Sequence, residues 1–163
     1  MKRQKAIILL GGNLGDTESI MLAAEKDIMK HSGIVTGRSS LYKTAAWGPV
    51  KQQDFLNRAI AIQTVFTPLQ LLGNLLATES RLGRKRHEKY GPRTIDIDII
   101  FYGDQVIRTT ELSVPHPHMA ERRFVLVPCN ELVPRMVHPL IKKSVSELLK
   151  ECNDPLEVQL WKA

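Results

Sequence analysis

Apolar and polar positions follow two different periods along the chain, and each change of period predicts a new element. Residues 5–10 form an apolar run rich in isoleucine that ends at two glycines, as a buried strand does. Residues 17–32 repeat apolar side chains at helical spacing, with Asp16 or Thr17 as the cap and Gly33 beyond the end. The same patterns predict β structure over 34–42, a strand over 55–66, a helix from Thr67-Pro68 to about Leu82, a strand over 94–102 and a closing helix over about 144–150.

The order of these elements predicts the fold class. A β-α-β-β-α-β order is typical of the ferredoxin-like split βαβ unit, so we expect an α+β sandwich. Its helices would pack on one face of a mainly antiparallel sheet. With 163 residues, no internal repeat and no linker, the chain is expected to form one domain over 1–163. Five prolines between residues 115 and 139 predict short turns in the last third.

Composition restricts the cellular compartment and the oligomeric state that are expected for such a domain. No run approaches the ~18 apolar residues that a membrane span needs, so no membrane contact is expected. The basic start is followed by only five apolar residues, 6–10, which is too short for a secretory segment. Cys129 and Cys152 fit inert thiols in a reducing cytoplasm. Without a large apolar surface stripe, a monomer is the expected state.

The net charge of +6 is concentrated in one place. Between Arg81 and Arg93 there are six basic residues and one acidic residue, a local charge of +5. A protein that tracks nucleic acid usually spreads its charge along a face, whereas a compact cluster suits a compact polyanion such as a nucleotide triphosphate. The alternative interpretation is a solvated charge run on a loop.

Asp96 and Asp98 supply the strongest chemical signal. On a strand the two side chains share one face and lie about 7 Å apart. Their oxygens suit Mg²⁺, and two such ions ~4 Å apart could bridge the pair to phosphates. A wet sheet face is the alternative. Because the pair follows Arg93 by three residues, the combination favours phosphoryl-type transfer.

Three further patterns are weaker. The segment Gly11-Gly12-Asn13-Leu14-Gly15-Asp16 lacks the Lys-Ser/Thr of a phosphate loop and the spacing of a dinucleotide site, so it predicts a glycine turn. His116 and His118 have no further Cys or His nearby at zinc-ligand spacing, so a zinc site is disfavoured. The favoured interpretation is a loop, made rigid by its prolines, that presents His116 to an anion. Three aromatic residues could stack on a planar ring or belong to the core: Trp47, Phe55 and Phe124.

The segment Gly91-Pro92-Arg93-Thr94-Ile95-Asp96-Ile97-Asp98-Ile99-Ile100 closely resembles the signature of the 6-hydroxymethyl-7,8-dihydropterin pyrophosphokinase family of the folate pathway. The similarity covers roughly residues 6–150 and includes Tyr42-Lys43-Thr44, Trp47-Gly48-Pro49, Asp54-Phe55-Leu56-Asn57, Val114-Pro115-His116-Pro117 and Arg122-Arg123-Phe124. The resemblance implies transfer of a diphosphate from ATP to the pterin hydroxymethyl group, with AMP as the second product, on a ferredoxin-like fold.

The resemblance also implies roles for individual residues. Asp96 and Asp98 would hold two Mg²⁺ ions, and Arg84 and Arg93 would act with them in catalysis. The ATP side would consist of Glu79, Arg84, Arg86, Arg93, Ile99, Ser113, His116 and Arg122. The pterin side would consist of Thr44, Ala45, Trp47, Phe55, Asn57 and Phe124.

Several positions depart from the family pattern and bear on loop closure and affinity. They are Ala45-Ala46 in place of a proline pair, Leu76 in place of a glutamine, a basic loop about one residue shorter, Lys89-Tyr90 in place of Arg and Trp, and Glu111 in place of a cation. Two other classes stay open from the residues alone. A two-metal nucleotidyl-transfer enzyme or cyclase would share the aspartates, and a ferredoxin-like RNA-binding module would need exposed aromatics on its central strands. No nucleic-acid partner is expected.

Overall fold

The computed structural model describes residues 2–46, 48–84 and 92–162. The first half contains β1 (Gln4–Gly12), α1 (Thr17–His31), β2 (Ile34–Arg38), β3 (Tyr42–Thr44), β4 (Phe55–Thr64) and α2 (Pro68–Arg81). The second half contains β5 (Asp96–Tyr102), β6 (Ile107–Arg108), β7 (Ser113–Val114), a 3₁₀ turn (Met119–Glu121), α3 (Arg123–Leu132), α4 (Val145–Glu151) and β8 (Val158–Leu160).

Local signals in the sequence set where the helices begin. The Asp16 carboxylate accepts the Ser19 N–H and so caps α1. At α2, Thr67 and Gln70 form a reciprocal capping box, and Pro68 between them occupies the first helical position. Ser144 and Glu147 form the same capping box at α4. These contacts satisfy N–H groups that have no partner inside the helix.

Six strands of the described residues form the main sheet, in the order β5-β1-β4-β3-β8, with β2 paired to β4 beside β3. The pairings between these strands are antiparallel. Strands β6 and β7 form a separate two-stranded ribbon. The α+β class and the ferredoxin-like order of the central strands are therefore confirmed.

Helices cover both faces of the sheet, so the expectation of one covered face is wrong. One core packs alternate β1 residues such as Ile8 against α1 and α2. The other core packs the intervening residues, such as Ile7, against α3 and α4. Strand β1 therefore reads as a continuous apolar run, because it is buried on both sides.

Among the α-helices of the described residues, α3 is the one that the sequence analysis missed. It spans Arg123–Leu132 and contains Pro128, which lacks the N–H that a helix interior needs. A proline at this position indicated a turn, but burial of Val125, Leu126 and Cys129 against the sheet holds the segment helical. Tertiary packing thus overrides the local preference. None of the helices in the described ranges is long and apolar enough to cross a membrane.

Candidate active site

An open cleft lies on the sheet face that α3 covers. It is lined by Leu9, Gly11, Thr44, Ala45, Phe55, Asn57, Arg93, Asp96, Asp98, Arg122 and Phe124. Apart from Leu9 and Gly11, these are residues that the sequence analysis named as site candidates. The fold thus brings together segments from four strands and the start of α3, which lie far apart in the sequence.

Gly11 forms the floor of the cleft. In β1 it is paired with Asn57 of β4 on one side and with Asp96 of β5 on the other. A Cβ atom at this position would lie 2.5 Å from the Asn57 Oδ1 atom. The missing side chain therefore leaves a gap between a polar amide and a carboxylate that stand on strands two places apart in the sheet. Gly11 and Gly12 belong to β1, so the predicted glycine turn is wrong for these two residues.

One wall of the cleft is built from carboxylates and guanidinium groups. The Arg84 Nη1 atom lies 2.7 Å from Asp96 Oδ1, and the Arg93 Nη1 atom lies 3.0 Å from Asp96 Oδ2. Arg84 Nη1 also donates to Glu79 Oε2 at 2.8 Å, and the same oxygen accepts the Ile97 N–H at 2.7 Å. Burial opposes the charge on Arg84, but Asp96 and Glu79 outweigh it and raise the arginine pKa. Arg84 is therefore a fixed cation at the edge of β5.

Asp98 lies deeper on the same wall. Burial, with the nearby charges of Asp96 and Glu79, raises its pKa to about 7 despite Arg84 and Arg93. Two neighbouring hard oxygen donors on one strand face fit a Mg²⁺ ion, whose charge would offset this repulsion. In the part of the chain that the structure describes, no group of three or more His, Cys, Asp and Glu could hold a metal ion. Phosphate oxygens and water would complete the coordination.

The opposite wall combines unpaired polar groups with aromatic side chains. Asn57 is 4% exposed and Thr44 is 2% exposed. The Asn57 Nδ2 and Thr44 Oγ1 atoms are buried without a hydrogen-bond partner among the described residues. A buried polar group without a partner costs about 1–3 kcal/mol, so both groups suit a polar ligand. Phe55 and Phe124 line the same cleft, and the Arg122 Cζ atom lies 5.9 Å from the Phe124 ring centroid.

His116 is a neutral donor near the cleft. Burial, Arg122 and His118 lower its pKa to about 4. Its Nδ1 atom accepts the His118 N–H at 3.2 Å, which leaves the proton of the neutral ring on Nε2. The His116 N–H donates to the Ile100 carbonyl at 3.0 Å and ties this loop to β5. The neighbouring candidate Ser113 lies exposed in β7.

Some predicted residues lie elsewhere. Glu79 is only 3% exposed and points to Arg84 and the β5 backbone. The Ile99 side chain packs into the core under α1 and α2, so it cannot make the expected ATP contact. The backbone of Ile99, on the outer strand of the sheet, is the part of this residue that is left for such a contact. Trp47 and Arg86 lie outside the described residues, as do Lys89 and Tyr90.

Comparison with known sequences identifies the family. The sequence model of the 7,8-dihydro-6-hydroxymethylpterin-pyrophosphokinase (HPPK) family matches residues 7–134. The chain belongs to this family. It is 40% identical to a 2-amino-4-hydroxy-6-hydroxymethyldihydropteridine pyrophosphokinase of Synechocystis sp., over 91% of this chain and 76% of the relative. An enzyme of the same name from Aquifex aeolicus is 39% identical, over 87% of this chain and 88% of the relative.

Solved structures agree with this family's fold. The wild-type HPPK-DHPS of Plasmodium falciparum with STZ-DHP superposes with a TM-score of 0.75, over 92% of this chain. The chain spans only 43% of that longer protein, and the sequence identity is 16%. At this identity the likeness establishes the fold. Family membership does not support the RNA-binding or nucleotidyl-transfer alternatives.

Proposed function

We propose that this HPPK-family chain transfers the terminal diphosphate of ATP to the hydroxymethyl group of 6-hydroxymethyl-7,8-dihydropterin, with release of AMP, in folate biosynthesis. One observation carries the proposal. Unpaired buried groups of Asn57 and Thr44 share a cleft with the Asp96–Asp98 pair and with Arg93. A planar polar ring and a metal–phosphate group can therefore bind side by side.

The ring side recognises the pterin by hydrogen bonds and stacking. Asn57 Nδ2 donates to an acceptor on the ring edge, and the Thr44 hydroxyl offers a second polar contact. Phe55 and Phe124 enclose the ring faces with the offset stacking that aromatic rings prefer. Ala45 lines the same wall, and we assign Trp47 to the closure of the pocket from the family resemblance.

The charged wall holds the phosphates. We assign Asp96 and Asp98 as protein ligands of two Mg²⁺ ions, which supply charge neutralisation and activation of the hydroxyl. Each oxygen of Asp96 is in contact with an arginine. When MgATP enters, Arg84 and Arg93 exchange this carboxylate for phosphate oxygens. This exchange keeps every charge paired and places both guanidinium groups beside the diphosphate that is transferred.

The remaining ATP contacts lie around this wall. Neutral His116 donates from Nε2, and Arg122 contributes a cation at the start of α3. Ser113, the Ile99 backbone and Arg86 complete the nucleotide side in this proposal. Glu79 acts through Arg84, which it holds in place.

The reaction needs no strong general base. The hydroxymethyl oxygen attacks the β-phosphorus of ATP in line with the leaving group. A new bond forms between that oxygen and the β-phosphorus, and the bond to the α,β-bridging oxygen breaks. AMP departs with the bridging oxygen, and the hydroxyl proton passes to water. Arg84 and Arg93 stabilise the charge that develops on the phosphoryl oxygens.

The test is AMP release from MgATP with and without 6-hydroxymethyl-7,8-dihydropterin. AMP should form only with the pterin, and pterin diphosphate should form in equal amount without inorganic pyrophosphate. Asp96→Ala and Asp98→Ala should each lower turnover by orders of magnitude. Asp104→Ala, in the exposed turn after β5, is the matched control and should keep wild-type turnover. Near-normal turnover of either aspartate variant would refute the assignment of metal ligands.

The setting proposed for this activity is a monomer in a reducing cytoplasm, with residues 1–163 as a single catalytic domain. Two free cysteines support the reducing compartment, and burial raises the pKa of the Cys129 thiol to about 12, which keeps it protonated.

A further inference from the structure

The side chain of Asn13 connects the two loops on either side of the cleft. Asn13 follows β1 and is 4% exposed. Its Nδ2 atom donates to the Gln53 carbonyl at 2.8 Å and to Gln52 Oε1 at 3.0 Å. Its Oδ1 atom accepts the Arg93 N–H at 2.9 Å. Both N–H groups of the amide and its carbonyl oxygen are therefore engaged by two segments that are far apart in the sequence.

The backbone strengthens the connection to Arg93. The N–H groups of Asn13 and Leu14 donate to the Arg93 carbonyl at 2.9 and 3.2 Å. Gly12 makes this approach possible, because a Cβ atom there would lie 2.5 Å from the Thr94 carbonyl oxygen. Arg93 is thus held through its N–H and its carbonyl, while its Nη1 atom reaches Asp96.

The two connected segments lead to different sides of the cleft. Gln52 and Gln53 precede Phe55 and Asn57, which belong to the ring side. Arg93 belongs to the phosphate side. If one segment moves alone, it leaves part of a buried amide unpaired, which is unfavourable. Ordering of one segment by a ligand therefore favours the bound position of the other segment.

We propose that Asn13 is a positioning residue that couples dihydropterin binding to ATP binding, an inference that rests on the proposed function. The coupling is reciprocal by linkage: ATP strengthens pterin binding by the same factor by which the pterin strengthens ATP binding. Asn13 does not line the cleft. It transmits binding on one side of the cleft through the backbone of residues 52–53 and 93.

The coupling factor is the ratio of two dissociation constants for dihydropterin, without and with a saturating non-hydrolysable analogue, Mg²⁺–α,β-methylene-ATP. The test variant is Asn13→Asp, which keeps an oxygen for the Arg93 N–H but loses the donor to Gln53. We expect the factor to fall about fivefold to tenfold toward one, as the loss of one or two buried hydrogen bonds predicts. Gln52→Ala should also lower the coupling factor, but by less than Asn13→Asp does. Because Gln52 is partly exposed, this second variant tests the proposal even if Asn13→Asp does not fold.

Asn74→Asp is the matched control. Asn74 Nδ2 donates to the His31 carbonyl at 3.1 Å, between α2 and α1 and away from the cleft. The same chemical change there should leave the coupling factor at its wild-type value. If Asn13→Asp weakens each ligand alone but leaves the factor unchanged, Asn13 is only structural and the proposal is refuted. A wild-type factor of one refutes it as well, whereas wild-type protein that binds no dihydropterin overturns the proposed function itself.

Discussion

At the scale of single residues, the shape of the cleft depends on a glycine, which has no Cβ atom. Gly11 lies between Asn57 and Asp96 in the sheet, and its φ angle is not in the left-handed region. Its role is therefore space rather than backbone freedom. The side chains on either side can be long and polar because the residue between them has none.

Gly11→Ala should damage pterin binding selectively. The new methyl group would lie 2.5 Å from Asn57 Oδ1, so the amide must turn away from the position in which we propose that it binds the ring. We expect the KM for dihydropterin to rise about tenfold or more, as for the loss of a buried hydrogen bond to a ligand, with a smaller change in the KM for ATP. Steady-state kinetics with each substrate varied in turn measures both effects.

Gly73→Ala is the matched control for this substitution. Gly73 lies inside α2 with no atom within 4 Å of its would-be Cβ. Alanine there should raise the free energy of unfolding by about 1 kcal/mol through helix propensity and leave both KM values unchanged. Equal KM values for wild type and Gly11→Ala would contradict the assignment of Asn57 to the ring.

At the scale of elements, α2 is joined to the edge of the sheet by Glu79. Its carboxylate accepts the Ile97 N–H of β5 and pairs with Arg84, just beyond the end of the helix. Glu79→Gln keeps an oxygen for the Ile97 N–H and removes the charge that aligns Arg84. We expect kcat/KM for ATP to fall about tenfold, since hydrogen bonds to charged groups contribute about 1.5–3 kcal/mol.

Glu25 provides a control with similar chemistry. It is also a buried acid on a helix, and its Oε1 atom contacts Arg38 and Arg58. Glu25→Gln and Glu79→Gln should both lower the melting temperature, but Glu25→Gln should leave kcat/KM for ATP unchanged. If the two variants lose activity in parallel, the effect of Glu79 is one of stability alone.

The elements also show what local sequence can predict. Strands β1 and β5 and helices α1 and α2 were predicted closely, because their periodicity, caps and glycine boundaries act within a few residues. Helix α3 was missed because Pro128 opposes a helix locally and only packing reverses that preference. Strand β8 was missed because its partner, β3, lies more than 100 residues away in the sequence.

The residues of the candidate site likewise fall into those that the local sequence predicts and those that depend on distant contacts. Asp96 and Asp98 were predicted because strand alternation alone places them on one face. The connection made by Asn13 was not, because its partners lie 39 to 80 positions away in the sequence. An amide donor and acceptor in a glycine-rich segment is the only local signal, and many turns share it.

At the scale of the whole molecule, acid should weaken the fold through His138. This residue is buried, and its Nδ1 atom accepts the N–H groups of Leu140 and Ile141, each at 3.1 Å. Burial lowers the pKa of His138 below its ordinary value of 6.5. Below pH 6.5 the unfolded chain binds a proton that the folded chain resists, so stability falls as the pH is lowered.

The matched variant for this prediction is His138→Asn, whose Oδ1 atom can accept the same N–H groups but cannot titrate. Thermal unfolding at pH 7 and pH 5 should show a smaller drop in melting temperature for the variant than for the wild type. Part of the drop should remain in the variant, because burial also lowers the pKa of His116 to about 4. An equal drop in both proteins would show that His138 does not contribute.

Residues near the C-terminal end of the sequence connect α3 and β3, which carry the Phe124 and Thr44 side of the cleft. We call residues 153–162 the C-terminal strap; they lie beyond the segment matched by the family model, 7–134. Asp154 accepts the Arg123 N–H at the start of α3, one residue before Phe124. Strand β8 pairs with β3, where Val158 is opposite Thr44. Trp161 Nε1 then donates to Glu18 at 2.7 Å and secures the end of the strap on α1.

Asp154→Ala should therefore weaken dihydropterin binding more than ATP binding. Without the Asp154 carboxylate the Arg123 N–H loses its acceptor. This frees the first turn of α3, destabilises the fold by about 1 kcal/mol and lets Phe124 move. We expect a severalfold increase in the KM for dihydropterin with a smaller change for ATP. Ser144→Ala removes the cap of α4, away from the cleft, and should cost similar stability without changing either KM. If both variants have wild-type kinetics, the strap stabilises the fold without shaping the pocket.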